Sequence, residues 1–328
     1  MTKIPPIPKI TRRRFIITAS AAGAFASQPV SAATLAGGLQ QVNWKGAALG
    51  AEASIQLFHR DPQWAREQLQ RCQKEIYRLE ELFSLYRPDS TICRLNADGY
   101  LDNPDIEFLN LLSLSKSFSE QTKGFFDVTI QPLWKLYADH FSENNADPFG
   151  PSPSAISAAL EKVGSSKIEL SASRITFKRP EMAITLNGIA QGYITDRVSD
   201  LLKSAGFEDV LVSLGENFAL GRKSDGSPWR VGILSPADGK TISSTVNLTN
   251  KALATSGGYG SPFSEISKAN HLLNPQTGEW SELNRSVSVI SSSATHADAA
   301  STALALMTSE ERADFIERQP LIEEVIYG

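Results

Sequence analysis

The sequence predicts an α+β fold of mainly antiparallel sheets with packed helices, and three observations lead there. Short segments of alternating hydrophobicity recur as neighbours, which is the signature of hairpins. Separate stretches carry apolar residues at helical spacing. Strands and helices do not alternate regularly, as a parallel sheet with crossover helices would require. No internal repeat or low-complexity tract interrupts the pattern.

Residues 1–32 stand apart from that fold. Arg12 and Arg13, with Phe15 two positions beyond, precede a short, weakly apolar stretch that ends near Phe25, and Val30-Ser31-Ala32 offers small residues for cleavage. This is the layout of a twin-arginine export signal, with Ile17 where a lysine is usual, and the stretch is too short to span a membrane. The expected mature protein, residues 33–328, is periplasmic and about 300 residues long, enough for one large domain. Hydrophobic residues at 41% and charged residues at 21% are ordinary for a soluble globule, and a net charge of −4 gives no basic face for nucleic acid.

Val42 to Phe58 reads as paired strands broken at Gly46 and Gly50, with Ala53, Ile55 and Leu57 alternating. Pro62 to Phe83 is a long amphipathic helix with Leu69, Cys72, Ile76 and Leu79 on its apolar face, so Cys72 is a core residue. Ser84 to Asn96 reads as irregular and holds Cys93. Whether Cys72 and Cys93 pair is left open. Pro104 to Thr122 is a second helix, Asp139 to Ser154 a surface loop, Ala155 to Val163 a short helix, and Lys167 to Phe177 a hairpin. Met182 to Leu186 is expected to be a strand feeding a glycine loop and a helix with Ile194, Val198, Leu201 and Leu202 inward. Val210–Leu214, Trp229–Leu234, Ser243–Leu248 and Ser286–Ser291 follow as strands.

Several segments could carry chemistry. Asp298 and Thr302 lie four apart, one helical turn, so their oxygens face the same way and suit a magnesium ion on a phosphate. Equally, Thr295 could cap this helix with Asp298 at its third position, in a capping box. The loop Asn187-Gly188-Ile189-Ala190-Gln191-Gly192 sits where helix-start amides could cradle an anion, or where glycines simply permit a tight turn. Gly124-Phe125-Phe126-Asp127-Val128-Thr129 places two aromatics and a carboxylate at the expected beginning of a strand, where aromatics are usually core. Ser84-Leu85-Tyr86-Arg87 is a polar turn. His271 is one of four histidines and is either a packed group or a base. There is no Cys-x-x-Cys and no His-Glu-x-x-His, which disfavours zinc.

The order of these segments is more telling than any one of them. Ser84-x-Tyr86-x-x-x-Ser90, Gly124-x-Phe126-Asp127, Gly188-x-Ala190-x-Gly192-Tyr193 with Asp196, Thr255-Ser256-Gly257, His271 through Gly278, and Ala297-Asp298 with Thr302 together resemble the ApbE-type FAD:protein FMN transferase family. The resemblance runs from about Leu49 to the C-terminus and implies the ApbE-like flavin transferase fold. It also implies a magnesium-dependent enzyme that splits FAD, moves FMN onto a threonine or serine hydroxyl of another exported protein, and releases AMP.

By the same resemblance, Asp298, Thr302, the main-chain carbonyl of Gly188 and Ser301 would hold the metal. Leu49, Tyr86, Phe125, Phe126, Asp127, Thr185 and Gln191 occupy flavin-contacting positions, and His271 is the candidate base or positioning group. The chain departs from the family pattern at Thr185, Asn187 and Gln191, where an acid, a glycine and a lysine are common, and Leu49 replaces a methionine. The form Asn187 through Tyr193 resembles a periplasmic accessory subgroup associated with nitrous oxide respiration. The acceptor would be a periplasmic or membrane-anchored redox protein, and the chain itself would not span the membrane. An FAD pyrophosphatase and a non-catalytic flavin-binding maturation factor are the competing expectations.

Overall fold

The computed structural model describes residues 31–34 and 38–328. The expected export signal therefore lies almost wholly outside the described residues. An eight-stranded sheet, antiparallel at every pairing, forms the frame. Its strands are β1 (Ser31–Thr34), β2 (Gln40–Ala48), β3 (Ala51–His59), β7 (Val210–Leu214), β8 (Glu216–Leu220), β11 (Lys251–Gly257), β12 (Ser286–Ser291) and β13 (Ile322–Tyr327), in that spatial order. Two smaller antiparallel sheets, β4–β6–β5 (Tyr100–Asp102, Arg174–Phe177, Ile168–Leu170) and β9–β10 (Trp229–Leu234, Ile242–Leu248), flank it. The α+β expectation holds.

Helices α1 (Pro62–Phe83), α2 (Thr91–Asp98), α3 (Ile106–Gln121), α4 (Gln131–Ser142), α5 (Pro153–Leu160), α6 (Ala190–Ser204), α7 (Ala294–Leu304) and α8 (Ser309–Glu317) complete the described fold. The largest core lies between the main sheet and helices α1, α3, α6 and α7, and includes Ile55, Leu57, Leu69, Phe83, Phe108, Ile194 and Val198. A second, smaller core of Leu133, Tyr137, Phe263 and Leu273 lies under α4 and α5. Trp229, Ile233, Leu248, Leu253 and Ile290 form a third, beneath β9–β10. Cys72 is a buried core residue as expected, and both cysteines are free thiols.

Five local expectations are corrected. The first strand pair breaks only at Leu49-Gly50, whose φ angles of 47° and 82° make the turn, while Gly46 stays in the ladder opposite Ala53. The supposedly irregular stretch after Ser84 contains α2, because the Ser90 hydroxyl accepts from Cys93 N at 3.2 Å and nucleates a helix that Gly99 closes at φ 76°. Phe125 to Thr129 leads not into a strand but into a 3-10 turn, Val128–Ile130, that runs straight into α4. Four residues of the predicted surface loop, Asp139 to Ser142, are thus helical. Met182 to Leu186 is extended but joins no ladder. Its polar groups are met by the Asn96 side chain, which pairs with both Ile184 N (2.7 Å) and Ile184 O (2.9 Å), and by Val128 O, which accepts from Thr185 N (2.8 Å).

Candidate active site

The site is built where α6 crosses α7. Ile189 N and Ala190 N both bond to Leu186 O, at 3.0 and 2.8 Å, and turn the extended segment directly into α6. A Cβ on Gly192 would lie 2.3 Å from Ala294 O and 2.8 Å from Asp298 Cβ. Only glycine there lets the two helices meet at backbone distance.

Each helix then caps the other. Residue Ile189 offers α6 no side-chain cap, and Asp298 Oδ2 reaches across to accept the Gly192 amide at 2.9 Å. In return Asp196, on α6, accepts Ala294 N (2.8 Å), Thr295 N (2.9 Å), Ser293 Oγ (2.8 Å) and Thr295 Oγ1 (2.6 Å) at the start of α7. The expected capping box is therefore absent. Ser293 is the N-cap of α7, accepting from His296 N, and Asp298 sits a turn further in, where it cannot cap its own helix. Its carboxylate is spent on the neighbouring helix start, where the macrodipole favours negative charge.

Above this crossing opens a cavity of about 410 Å³ between the largest core and the smaller core under α4. It gathers residues from remote parts of the chain. Tyr86, Phe125, Phe126, Asp127, Thr185, Gly188, Gln191, His271 and Thr302 all line it, as do Asn187 and Ser256. Asp298 and Ser301 lie just beneath the wall, only 4% and 1% exposed. Gly188 seats on Thr302, since a Cβ there would be 3.0 Å from Thr302 Oγ1 and 3.4 Å from the Phe126 ring. The Ser301 hydroxyl donates to Asp298 O at 3.0 Å and meets Ser256 Oγ at 2.8 Å.

The aromatic side is formed by Phe125, Phe126 and Tyr86. Phe126 packs edge-on against Phe118 at 5.9 Å, which fixes its ring. Tyr86 is half exposed, and its phenol is raised by burial and lowered in part by a hydrogen bond with the Asn187 side chain. Gln191 packs against Gly215, whose φ of +94° forms the turn between β7 and β8. Asp127 faces the cavity but is already committed. It accepts Thr129 N (2.8 Å), Thr129 Oγ1 (2.6 Å), Ser165 N (2.8 Å) and Ser119 Oγ (3.2 Å), so its principal work is to fold the Phe125–Phe126 segment back on α3. Leu49 is the one expected flavin position that the cavity wall does not include. Its amide donates to Glu80 Oε1 at 2.7 Å and its side chain packs on the core.

His271 stands on a long loop organised by Asn270, which is fully buried. Asn270 donates to Ser281 O (2.7 Å) and accepts from Leu272 N (3.1 Å) and Ser281 Oγ (3.1 Å). Burial pushes His271 down to about 4, partly offset by the Ser261 backbone, so its imidazole is neutral at pH 7 and Nδ1 has no partner among the described residues. A neutral ring is the form that accepts a proton.

Sequence reasoning missed Glu216. It is 8% exposed, lines the cavity from β8, and accepts Thr255 N at 3.3 Å. The signal was present as a lone acid in the apolar run from Val210 to Leu220, directly after Gly215. Burial first, and then the charge of Asp298, push the Glu216 carboxyl well up. Asp298 is lifted to about 7 by burial, with the Gly192 amide opposing and Asp196 adding repulsion. The donors gathered here are two carboxylates, the hydroxyls of Ser256 and Thr302, and the Gly188 backbone, all hard oxygens. Among the described residues no three His, Cys, Asp or Glu side chains converge to hold a metal. The set therefore fits a hard cation that takes its remaining ligands from a bound phosphate, and does not fit a self-sufficient protein cage.

Fold and pocket define an α+β protein with a deep, oxygen-floored cleft between two apolar cores. The chain belongs to the ApbE family, whose profile matches residues 49–326. It is 25% identical over 287 residues to the FAD:protein FMN transferase of Salmonella typhimurium, covering 84% of this chain and 81% of that one. It is 27% identical over 271 residues to the FAD:protein FMN transferase of Escherichia coli strain K12, covering 80% and 77%. The fold superposes on the apo crystal structure of the Pseudomonas stutzeri flavinyl transferase ApbE with a TM-score of 0.72 at 27% identity, covering 88% of this chain and 94% of that one.

Proposed function

We propose that this chain is an FAD:protein FMN transferase that, with magnesium, moves FMN from FAD onto a threonine or serine hydroxyl of an exported redox protein and releases AMP. The observation that carries the reading is the convergence of Tyr86, Phe125, Gly188, His271 and Thr302 on one cavity, with Asp298 directly beneath it. The aromatic side suits the flavin ring and the oxygen-lined floor suits the pyrophosphate. Asp298, Thr302 and the Gly188 carbonyl would hold the magnesium ion, with Ser301 supporting them. Held there, such an ion would supply charge neutralisation for the pyrophosphate.

The protein's own residues do the rest. The α6–α7 crossing fixes Asp298 and Thr302 on one face, and the packed Phe126 ring excludes water from the Gly188 side. His271, neutral, takes the proton of the acceptor hydroxyl as that oxygen bonds to the FMN-side phosphorus. The bridging oxygen then leaves with AMP. The Asn187–Tyr193 segment supports an acceptor among redox proteins of nitrous oxide respiration, and the paired arginines support delivery of the folded chain to the periplasm.

The deciding experiment incubates the purified mature protein with FAD, magnesium chloride and a candidate periplasmic redox domain. The expected result is a flavin-fluorescent acceptor band surviving denaturing electrophoresis, with one AMP per label. Free FMN without labelled acceptor would replace this reading with a pyrophosphatase, and unchanged FAD would replace it with a flavin carrier.

A further inference from the structure

Glu216 stands out among the cavity residues because no cationic side chain among the described residues balances it. It is a nearly buried carboxylate whose single side-chain hydrogen bond, from Thr255 N at 3.3 Å, is long. Its Oε1 has no hydrogen-bond partner among the described residues, although it belongs to a cavity-lining side chain. Neither Glu216 nor Asp298 has a lysine or arginine beside it among the described residues. A buried carboxylate in this position carries a heavy desolvation cost unless a cation compensates it. Its neighbours are oxygen donors. Thr255 and Ser256 follow it on the adjacent strand β11, and Ser256 Oγ lies 2.8 Å from Ser301 Oγ and 3.4 Å from Thr302 Oγ1.

We infer that Glu216 is a second carboxylate of the cation site, and that with Asp298 it lets this chain bind its divalent cation before FAD arrives. The inference rests on the magnesium reading above and extends it to a residue and a binding order. With one carboxylate, the cation depends on the pyrophosphate for most of its charge balance. With two, the protein supplies charge equal to that of the ion, while the empty coordination positions stay open to phosphate oxygens.

Manganese, which reports its binding through its electron paramagnetic resonance signal, serves as the probe. FAD-free wild-type protein titrated with Mn²⁺ alone should bind one ion, displaceable by Mg²⁺. Glu216→Gln keeps an acceptor for Thr255 N–H and should fold, with FAD-free Mn²⁺ affinity weakened roughly tenfold or more. Adding FAD should restore most of the variant's Mn²⁺ binding. Wild-type protein that binds Mn²⁺ only with FAD, or a folded Glu216→Gln that binds it as the wild type does, would overturn the role of Glu216 while leaving the magnesium reading intact. Wild-type protein that binds no Mn²⁺ even with FAD would overturn both.

Discussion

At the residue scale, Asp298 accepts the Gly192 amide and lies beneath the cavity, where the proposed function gives its carboxylate a second task, holding the cation. Asp298→Asn keeps the acceptor and removes the charge. FMN transfer should fall by two or more orders of magnitude, about 3 kcal/mol or more of lost charge stabilisation, while the melting temperature stays at or above wild type. Rate and melting curve measured on the same preparation check this, and an unchanged rate would leave Asp298 as a helix cap alone. His271 gives a pH prediction. Its folded value near 4 lies below the ordinary 6.5, so between those values the unfolded chain holds a proton that the folded chain does not. Stability is therefore full above about pH 6.5 and declines as pH falls toward 4. His271→Gln should flatten that part of the denaturation profile and lower transfer by about 10²-fold or more, with FAD affinity little changed by equilibrium titration.

At the scale of elements, the α6–α7 crossing is the structural centre of the site. Gly192→Ala puts a methyl group 2.3 Å from Ala294 O, a backbone atom that cannot turn aside. The helices must separate, at a cost of about 1–3 kcal/mol in urea denaturation, and transfer should fall with them because Asp298 and Thr302 move together. Asp196→Ala removes the acceptor for two amides and two hydroxyls at the start of α7. A loss of about 2–4 kcal/mol is expected in the same assay, since charge-assisted bonds are the strong ones and the stranded amides belong to buried residues. Wild-type stability in either variant would mean that the crossing is looser than these distances require.

At the scale of the whole molecule, the cleft lies where two cores meet, so the sheet, the α3–α4 connection and the long loop carrying His271 must all be in place before it exists. A protein of this kind suits an export route that accepts folded cargo. Replacing both Arg12 and Arg13 by Lys should leave the chain in the cytoplasm with its signal uncleaved. Fractionation followed by immunoblotting tests this, and normal periplasmic accumulation of the double variant would count against the twin-arginine route.

Much of this was legible from local pattern. The α1 boundaries, the strands at Val210–Leu214 and Ser286–Ser291 and the α+β class follow from periodicity, because a face that must be buried repeats with the geometry of its element. The ordered motifs run through Tyr86, Phe125, Phe126, Asp127, Gly188, Gln191, His271 and Thr302, all of which line the cleft, but they pass over Trp134, Glu216 and Leu306, which line it too. Local pattern failed where partners come from afar. Asn96 holds Met182–Leu186 extended without a strand, Asp196 caps a helix almost a hundred residues downstream, and Asp127 serves Ser165. Sequence alone thus determined the fold class, the long regular elements and most of the side chains that can do chemistry, since these are written in composition and short-range spacing. Only the tertiary structure decided that Asp298 caps α6 rather than its own helix, that Leu49 stands off the cavity wall, and that Glu216 joins the acidic floor. Those outcomes depend on contacts between distant segments, and no local spacing encodes them.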